Sequence, residues 1–429
     1  MTTSAFDRVI GYESVKNELK LLCDVWKNSG KYERLGGKPP HGLLLYGDPG
    51  LGKTLFATCL IEECGLPSIT VRKDRSNGAF LDELRIAFDE AKEKAPAVLL
   101  LDDLDKFTND SSEEHKDADE YVAVQTGMDA TSDCGVFVVA TVNARWKLPE
   151  SLLRAGRFDV EIELQTPSLE DTEKIFRHYL SGKGFDLDQA DLKEFAGIMV
   201  ENSCADVESV VNRAAIYAAY DGRDSITRDD LIRACLRKFF NAPDGADRYT
   251  PETRSRIACH EAGHAIVADI LEPGSVNLIS IKATDGFVGG TVSYRKHEDY
   301  FHRLSYQENR ILALLAGRAA TELLYGEPDL GSKSDVHRAL RVAERFRDEY
   351  AVYGFANVVD YHAPEGVKTD AYRRATEVLE GYYRASKKIV AENRRYLDAV
   401  ARALLEKETL LGCDLARIRQ TVNSTRIGV

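Results

Sequence analysis

Strand-sized apolar runs alternate with helix-like stretches along the first part of the chain. A strand buried on both faces forms a short apolar run, whereas a stretch such as Leu81–Lys94 carries apolar residues at helical spacing. The apolar runs are Gly42–Tyr46, Ile69–Val71, Val98–Leu101, Val136–Thr141 and Val160–Leu164. Such alternation is typical of a mostly parallel sheet. We therefore predict an α/β domain over residues 1–166.

From Ser168 to Phe240 the apolar residues show only helical periodicity. Ser168 and Thr227 each precede acidic residues, as the N-caps of helices do. The sequence therefore predicts a small all-α domain at residues 167–242, followed by a linker at 243–250 that is rich in Pro, Gly and Asp.

Residues 251–429 form the third predicted domain, which we expect to be mainly helical. Asn277–Tyr294 is the exception, because its Ile and Val residues lie among glycines and indicate a hairpin or small sheet. The tail from Thr369 to about Glu406 is predicted to be long and helical.

Length and composition fit a globular chain of about three domains, at ~150 residues each. The 429 residues are 44% hydrophobic and 30% charged. With 57 basic and 70 acidic side chains, the net charge is −13. Non-specific binding of nucleic acid needs clustered Lys and Arg, so we exclude it and expect protein, peptide or nucleotide partners.

Segments that would direct the chain to a membrane are not evident. No apolar run approaches the ~20 residues of a spanning helix, and no signal segment follows Met1. The eight cysteines are scattered without a C-x-x-C pair, which favours reduced thiols. We expect a soluble, cytoplasmic protein.

A phosphate-binding loop follows the first predicted strand. The segment Gly47–Thr54 matches G-x-x-x-x-G-K-[ST] and leads into a helix-like run. Backbone N–H groups of such a loop surround phosphate, Lys reaches the outer phosphates, and the Thr hydroxyl holds Mg²⁺. The predicted nucleotide-binding residues here are Asp48, Pro49, Gly50, Leu51, Gly52, Lys53, Thr54 and Leu55.

Two further strands end in residues suited to ATP hydrolysis. Asp102 ends a buried strand and would orient water around Mg²⁺, while Asp103 stands where a Glu usually polarises the attacking water. Asp is one methylene shorter, and a misplacement of ~1 Å can cost about 100-fold in rate. Asn143 ends the next strand and can contact the γ-phosphate. ATP binding is thus predicted more firmly than ATP turnover.

Arg154 and Arg157 follow in Leu153–Asp159. Two arginines alone are usually surface ion pairs. After a phosphate loop and an acidic strand end, they suit a finger that stabilises a neighbouring subunit's phosphate. A finger acting in this way implies a ring.

A metal-binding motif lies in the third domain. His260 and His264 of H-E-x-x-H fall one helical turn apart, so both imidazoles can bind one Zn²⁺. Glu261 would be the general base for water. A third ligand must come from elsewhere, and Glu322 and Asp335 are both candidates. Spacing does not choose between them, since Asp335 could equally start a helix.

Taken together, these motifs resemble the FtsH family of AAA+ zinc metalloproteases, over nearly the whole chain. The segments that carry the resemblance are Phe6–Gly11, Leu35–Pro40, Leu153–Asp159, Ala258–His264, Leu315–Ala320 and Leu405–Thr409. The resemblance implies Asp335 as the third zinc ligand. It also implies that the adenosine lies near four residues, which are Ile10, Gly11, His178 and Ala205.

The resemblance further implies a homohexameric ring that uses ATP, Mg²⁺ and Zn²⁺ to unfold and cleave proteins, with the substrate strand beside Phe287–Val292. Family members usually begin with a membrane anchor, so the alternative to a soluble relative is the cytosolic part of an anchored protein.

The segment Arg72–Phe80 is shorter than the family's aromatic-Gly pore loop. Asp103 and Cys204 also depart from the family's Glu and Gly. The protease motif is intact, whereas the motor is altered.

Three functions fit the sequence. The first is an ATP-dependent zinc endopeptidase with a weakened unfolding motor. The second is a nucleotide-binding ring with a regulatory role. The third is a zinc peptidase for unstructured peptides, in which ATP mainly supports assembly.

Overall fold

The computed structural model describes residues 4–73, 80–108, 118–242, 249–282, 289–295, 303–352, 354 and 365–424. For residues 365–371 and 423–424 it describes the backbone alone. The chain forms two compact units: residues 1–181 with 199–209, and residues 182–198 with 210–429. Among the helices so described, none has the length and apolar character to cross a membrane.

The first unit is built on a five-stranded parallel sheet of order β2-β3-β4-β1-β5. Its strands are β1 (Gly42–Tyr46), β2 (Ser68–Arg72), β3 (Ala97–Asp102), β4 (Val136–Val142) and β5 (Val160–Glu163). Every residue of β3 and β4 is buried, as expected of a sheet covered on both faces. The α/β prediction is confirmed, with each strand within one residue of its expected ends.

Six helices belong to the first unit: α1 (Glu13–Lys27), α2 (Ser29–Glu33), α3 (Lys53–Cys64), α4 (Phe80–Glu93), α5 (Asp119–Thr131) and α6 (Leu169–Leu180). Residues of α1 and α3 pack on one face of the sheet, and residues of α4 and α5 pack on the other. Alternate residues of β1 enter different cores: Leu44 packs with residues of α4 and α5, while Leu43 and Leu45 pack with residues of α1 and α3. This alternation is the period of two that a strand imposes.

The sheet order brings the predicted nucleotide-binding residues to one edge. Strands β3, β4 and β1 are neighbours and run parallel, so their carboxyl ends meet. The phosphate loop follows β1, Asp102 ends β3, and Asn143 follows β4. Ligands of open parallel sheets bind outside this edge.

The stretch predicted as an all-α domain is mostly helical. Its helices are α7 (Gln189–Met199), α8 (Cys204–Tyr220) and α9 (Arg228–Phe239). Both predicted helix starts are confirmed: Ser168 Oγ accepts from the Asp171 N–H (3.1 Å), and the Thr227 N–H donates to Asp230 Oδ2 (2.8 Å). The structure adds a parallel pair, β6 (Phe185–Asp186) and β7 (Ile226–Thr227). Two-residue strands are too short to carry a period in the sequence.

The remaining residues form helices around a small antiparallel sheet of order β10-β8-β9. The elements are α10 (Pro251–Leu271), β8 (Val276–Ser280), β9 (Thr291–Tyr294), α11 (Leu304–Tyr325), α12 (Lys333–Asp348), α13 (Glu365–Glu392), α14 (Arg394–Lys407), β10 (Thr409–Leu411) and α15 (Gly412–Ser424). Strands β8 and β9 confirm the expected sheet within Asn277–Tyr294. Its residues 283–288 lie outside the described part of the chain, as do most of the predicted linker and of the Arg72–Phe80 segment.

The prediction of a long helical tail is confirmed, and the structure divides it into two helices. Helices α13 and α14 are separated at Asn393, whose φ of −112° and ψ of 29° leave the helical region. The Asn393 side chain donates to the Ile389 carbonyl at 2.8 Å, a local hydrogen bond of the kind that competes with helix continuation. Strand β10 follows, and it forms by pairing with the distant β8, which no local pattern reveals.

In the second unit, charged pairs join α7 and α9 to the small sheet and to α15. Arg228, the first residue of α9, lies 2.5 Å from Asp414 of α15. Glu194 of α7 lies 3.5 Å from Arg295, which directly follows β9. The strand that borders the metal site described below is therefore linked to a helix of the predicted all-α domain.

Candidate functional site

The phosphate loop closes on itself through its lysine. Lys53 is buried, and its Nζ donates to the carbonyl oxygens of Gly47 and Asp48 at 2.8 Å each. Gly52 directly precedes α3, and its φ of 90° is in the left-handed region that favours glycine. Lys53 is also the first residue of α3, so the loop leads directly into a helix N-terminus, which is the part of a helix that binds phosphate.

The two predicted Mg²⁺-binding residues lie side by side. Thr54 Oγ1 donates to Asp102 Oδ1 at 2.9 Å, and Thr141 Oγ1 donates to the same oxygen at 2.7 Å. Asp102 is buried at the end of β3. Sequence reasoning missed Thr141, which lies on β4 and orients this carboxylate.

Asp103 is held by several neighbours. Its backbone is left-handed, with a φ of 57°, and its N–H donates to Thr141 Oγ1 at 2.8 Å. Asn143 Nδ2 donates to Asp103 Oδ1 at 3.3 Å, and Lys106 Nζ donates to Oδ2 at 2.7 Å. Arg72 lies 3.6 Å from the same Oδ2. The carboxylate expected to act on water is therefore already engaged at both oxygens.

A cavity of about 300 Å³ adjoins the phosphate loop. It brings together three of the four residues predicted for the adenosine with part of the loop, namely Ile10, His178 and Ala205 with Gly50, Leu51, Gly52 and Leu55. Gly11 lies beside Asp171, since an added Cβ would be 2.6 Å from its Oδ1. Tyr12 and Tyr179 also line the cavity but were missed, because neither belongs to a local sequence motif.

The paired arginines differ in their surroundings. Arg154 is exposed. Arg157 is paired with Asp129 through Nε (3.0 Å) and Nη2 (2.9 Å), and its Nη1 donates to the Ser151 carbonyl at 2.6 Å. Arg154 is therefore the more accessible of the two in this structure.

Three donor atoms converge in the second unit. His260 and His264 lie one turn apart on α10, with Nε2 atoms 3.0 Å apart. Asp335, in the first turn of α12, places Oδ2 3.3 Å from each Nε2. All three residues are buried, and together they form a group suited to a metal ion. These separations let one ion reach all three atoms at the ~2 Å bond lengths of zinc, so the residues fit Zn²⁺.

Glu322, the other candidate ligand, lies elsewhere. Its carboxylate accepts hydrogen bonds from Tyr383 Oη and from Lys387 Nζ, the latter at 2.7 Å. Among the described residues, the group that can hold a metal contains Asp335 and not Glu322.

Glycines allow α10 and α11 to approach closely at this point. A Cβ on Gly317 would lie 2.7 Å from His260 Nε2 and closer still to His264 Nε2. A Cβ on Gly263 would lie 2.6 Å from the Ala316 carbonyl oxygen. The backbone of α11 therefore forms one wall of the metal site, which a larger residue would displace.

Electrostatics around the three donors favour a charged carboxylate. Burial alone would raise the pKa of Asp335, but hydrogen bonds with His260 and His264 hold it well below its usual range. Arg338 Nη2 donates to the second oxygen, Oδ1, at 2.5 Å. Burial raises the pKa of Glu261, which the attraction of the two histidines only partly opposes.

A cavity of about 470 Å³ opens onto the metal-binding group. Its walls include Ile257, Val292 and Leu314, which are apolar, with Tyr294 and Arg338 as polar groups. Burial raises the pKa of Tyr294, with a further contribution from Glu261 and Asp335, so its hydroxyl stays protonated. Sequence reasoning did not single out Tyr294 or Arg338, because neither belongs to a local motif.

A parallel P-loop fold, together with a helical fold that presents H-E-x-x-H and a buried aspartate, defines a metallopeptidase coupled to an ATPase. Comparison with known proteins agrees. The model of the ATPase family associated with various cellular activities (AAA) matches residues 43–166, and that of peptidase family M41 matches residues 248–418.

Three similar proteins carry the same two activities in their names. The chain is 32% identical to the ATP-dependent zinc metalloprotease FtsH 2 of Symbiobacterium thermophilum, over 96% of this chain and 74% of that protein. It is 30% identical to the ATP-dependent zinc metalloprotease FtsH of Caldicellulosiruptor bescii, over 96% and 71%. It is 28% identical to the ATP-dependent zinc metalloprotease FtsH 2 of a Thermoanaerobacter species, over 99% and 84%.

The chain therefore belongs to the FtsH family of ATP-dependent zinc metalloproteases. It is a metalloendopeptidase coupled to an AAA ATPase, and its cofactors are Zn²⁺, ATP and Mg²⁺. The expected family resemblance is confirmed.

The close approach at Gly317 generates a prediction. We expect Gly317→Ala to weaken zinc binding at least about ten-fold, because the added methyl overlaps the ligand atoms. Competition with a chromogenic chelator measures this affinity. Gly381→Ala is the matched control, since that glycine lies in α13 with no atom within 4 Å of the added Cβ. Zinc affinity equal to that of the control would contradict the proposed wall.

Proposed function

We propose that this protein is an ATP-dependent zinc endopeptidase that degrades protein substrates as a ring-shaped homohexamer, with a slow unfolding motor. The observation that carries the proposal is the buried group of His260, His264 and Asp335 beside Glu261, in a chain that also contains a formed phosphate loop. A cytoplasmic location and the absence of nucleic-acid partners remain part of the same proposal.

In the peptidase reaction, His260, His264 and Asp335 would hold the zinc ion. A zinc ion bound there would supply Lewis-acid chemistry toward the scissile carbonyl and the attacking water. Glu261 takes a proton from the attacking water at its carboxylate and delivers it to the leaving amine.

An extended peptide can bind along β9. This strand is at the edge of the described three-stranded sheet, and Thr291 and Val292 line the cavity next to the metal-binding group. Peptides commonly add a strand to such an edge, which supports the substrate position expected beside Phe287–Val292. Residues 287 and 288 themselves lie outside the described part of the chain.

The role of Glu261 leads to a prediction. Glu261→Gln keeps the size and hydrogen-bonding capacity of the side chain but removes the base, so we expect cleavage of unfolded casein to fall by at least about 100-fold. ATP binding, measured with a fluorescent nucleotide, should be unchanged. Cleavage at the wild-type rate would exclude Glu261 as the base.

A slow motor is supported by the surroundings of Asp103. The shorter side chain is engaged by Asn143 and Lys106, with Arg72 nearby, so it must leave these partners to reach a water molecule. The ring is supported by the exposed Arg154, which suits contact with a neighbour's phosphate.

We predict that Asp103→Glu raises the rate of ATP hydrolysis by about ten-fold or more, because the added methylene extends the carboxylate toward the water. The rate is measured by phosphate release at saturating ATP. Lys106→Met is the matched variant that frees Asp103 without lengthening it, and it separates the ion pair from the missing methylene. A rate for Asp103→Glu at or below wild type would contradict the slow-motor proposal.

The two alternative functions concern how ATP is used. A regulatory ring would bind nucleotide without ATP-dependent proteolysis, and a peptidase for unstructured peptides would need ATP only for assembly. The intact metal-binding group favours proteolysis over a purely regulatory role. The engaged Asp103 favours slow turnover over powerful unfolding.

Proteolysis of a folded reporter and of unfolded casein separates these functions. We expect casein to be cleaved at least about ten-fold faster than the folded reporter with ATP, because unfolding draws on a slow motor. A non-hydrolysable analogue and a nucleotide-free sample show whether hydrolysis or only binding is needed. Rapid ATP-dependent digestion of the folded reporter would contradict the weakened motor.

A further inference from the structure

The two imidazoles of the metal-binding group differ at the nitrogen that faces away from the metal. His264 Nδ1 donates to the Ala313 carbonyl oxygen at 2.7 Å. His260 Nδ1 is buried and makes no hydrogen bond with the described residues. An acidic group nevertheless faces it, since Asp329 Oδ2 lies 3.6 Å away.

The Asp329 carboxylate is oriented by its own backbone segment. Asp329 is the N-cap of a short 3₁₀ turn, Leu330–Ser332, and its Oδ1 accepts from the Gly331 N–H at 2.9 Å. The Ser332 hydroxyl donates to the Asp329 carbonyl oxygen at 2.6 Å. With one carboxylate oxygen held by the turn, the other is left to face His260.

We propose that Asp329 is a positioning residue for the zinc site. Its carboxylate accepts a hydrogen bond from the His260 Nδ1–H group, which fixes the tautomer that leaves the Nε2 lone pair for the metal. An approach of ~0.6 Å would bring the pair into ordinary hydrogen-bond range. The inference rests on the proposed zinc site and adds to it a residue outside the three ligands.

The physical reason is the general behaviour of metal-bound histidines. A ligating imidazole usually donates its other N–H to a carboxylate or a carbonyl, which orients the ring and makes the ligand more basic. Removing such a partner typically costs 10- to 100-fold in metal affinity or activity. For His264 the partner is a backbone carbonyl, which substitution cannot remove. For His260 it is a side chain, so the effect can be measured.

The alternative is a purely structural role, in which Asp329 only caps the 3₁₀ turn Leu330–Ser332. Asp329→Ser tests this, because a serine hydroxyl can still accept from the Gly331 N–H but is too short to reach His260. Asp329→Asn keeps both the cap and an acceptor oxygen but lacks the charge. Glu327→Gln is the control, because Glu327 lies in the same segment and pairs with Arg256 at 3.0 Å on the surface.

Zinc affinity of the 429-residue chain is measured by chelator competition, and the thermal midpoint of the zinc-free protein is measured in parallel. We expect Asp329→Ser to weaken zinc binding by about 10- to 100-fold. We expect Asp329→Asn to lie between it and wild type, and Glu327→Gln to match wild type. The zinc-free midpoints of all variants should be alike.

Wild-type zinc affinity in Asp329→Ser would overturn the proposal. The proposal would also be overturned if both Asp329 variants lowered the zinc-free thermal midpoint and lost zinc affinity in proportion. Asp329 would then act only by stabilising the turn. Failure of the zinc site itself is distinguishable, because the wild-type protein would then bind no stoichiometric zinc. A lower kcat at saturating zinc in Asp329→Ser, with KM unchanged, would further support the positioning role.

Discussion

The closeness of helices α10 and α11 is the constraint on which the protease site depends. Gly263 meets the backbone of α11, and Gly317 meets the ligand atoms of α10, so neither position has room for a Cβ. This contact fixes the two imidazoles against a rigid wall in a well-packed core that also includes Ala262, Ala316 and Ala320. Metal ligands must be held to within a few tenths of an ångström, and close backbone packing provides that rigidity.

Local chemistry in the sequence was enough to predict much of the two sites. Gly47–Thr54 and His260–His264 are contiguous motifs, and the buried strands of the first unit are continuous apolar runs. The third ligand is different, because Asp335 reaches the histidines only through the packing of α12. Sequence spacing does not distinguish Asp335 from Glu322 as the third zinc ligand, and only the family resemblance favours Asp335.

Features that arise from long-range packing were missed for the same reason. Strand β10 exists because it pairs with β8, more than a hundred residues earlier. Tyr294, Arg338 and Asp329 line the metal cavity from three separate segments. A periodic pattern reports which face of an element is buried, but it does not report what lies opposite that face.

The peptidase site and the ATPase site differ in how closely their side chains are arranged for reaction. The metal-binding group is buried and preorganised, whereas Asp103 is engaged by cationic neighbours and by Asn143. The pair Glu194–Arg295 links a helix of the predicted all-α domain to the end of β9, at the border of the metal cavity. This contact connects α7 directly to the strand beside the metal-binding group, within the second unit.

The central claim is that one zinc ion is bound by His260, His264 and Asp335. Anomalous diffraction at the zinc edge from crystals of the zinc-loaded protein tests it most directly. The account predicts one strong anomalous peak within ~2.2 Å of His260 Nε2, His264 Nε2 and an Asp335 carboxylate oxygen. A peak coordinated by Glu322, or a zinc ion that Asp335 does not touch, would contradict it.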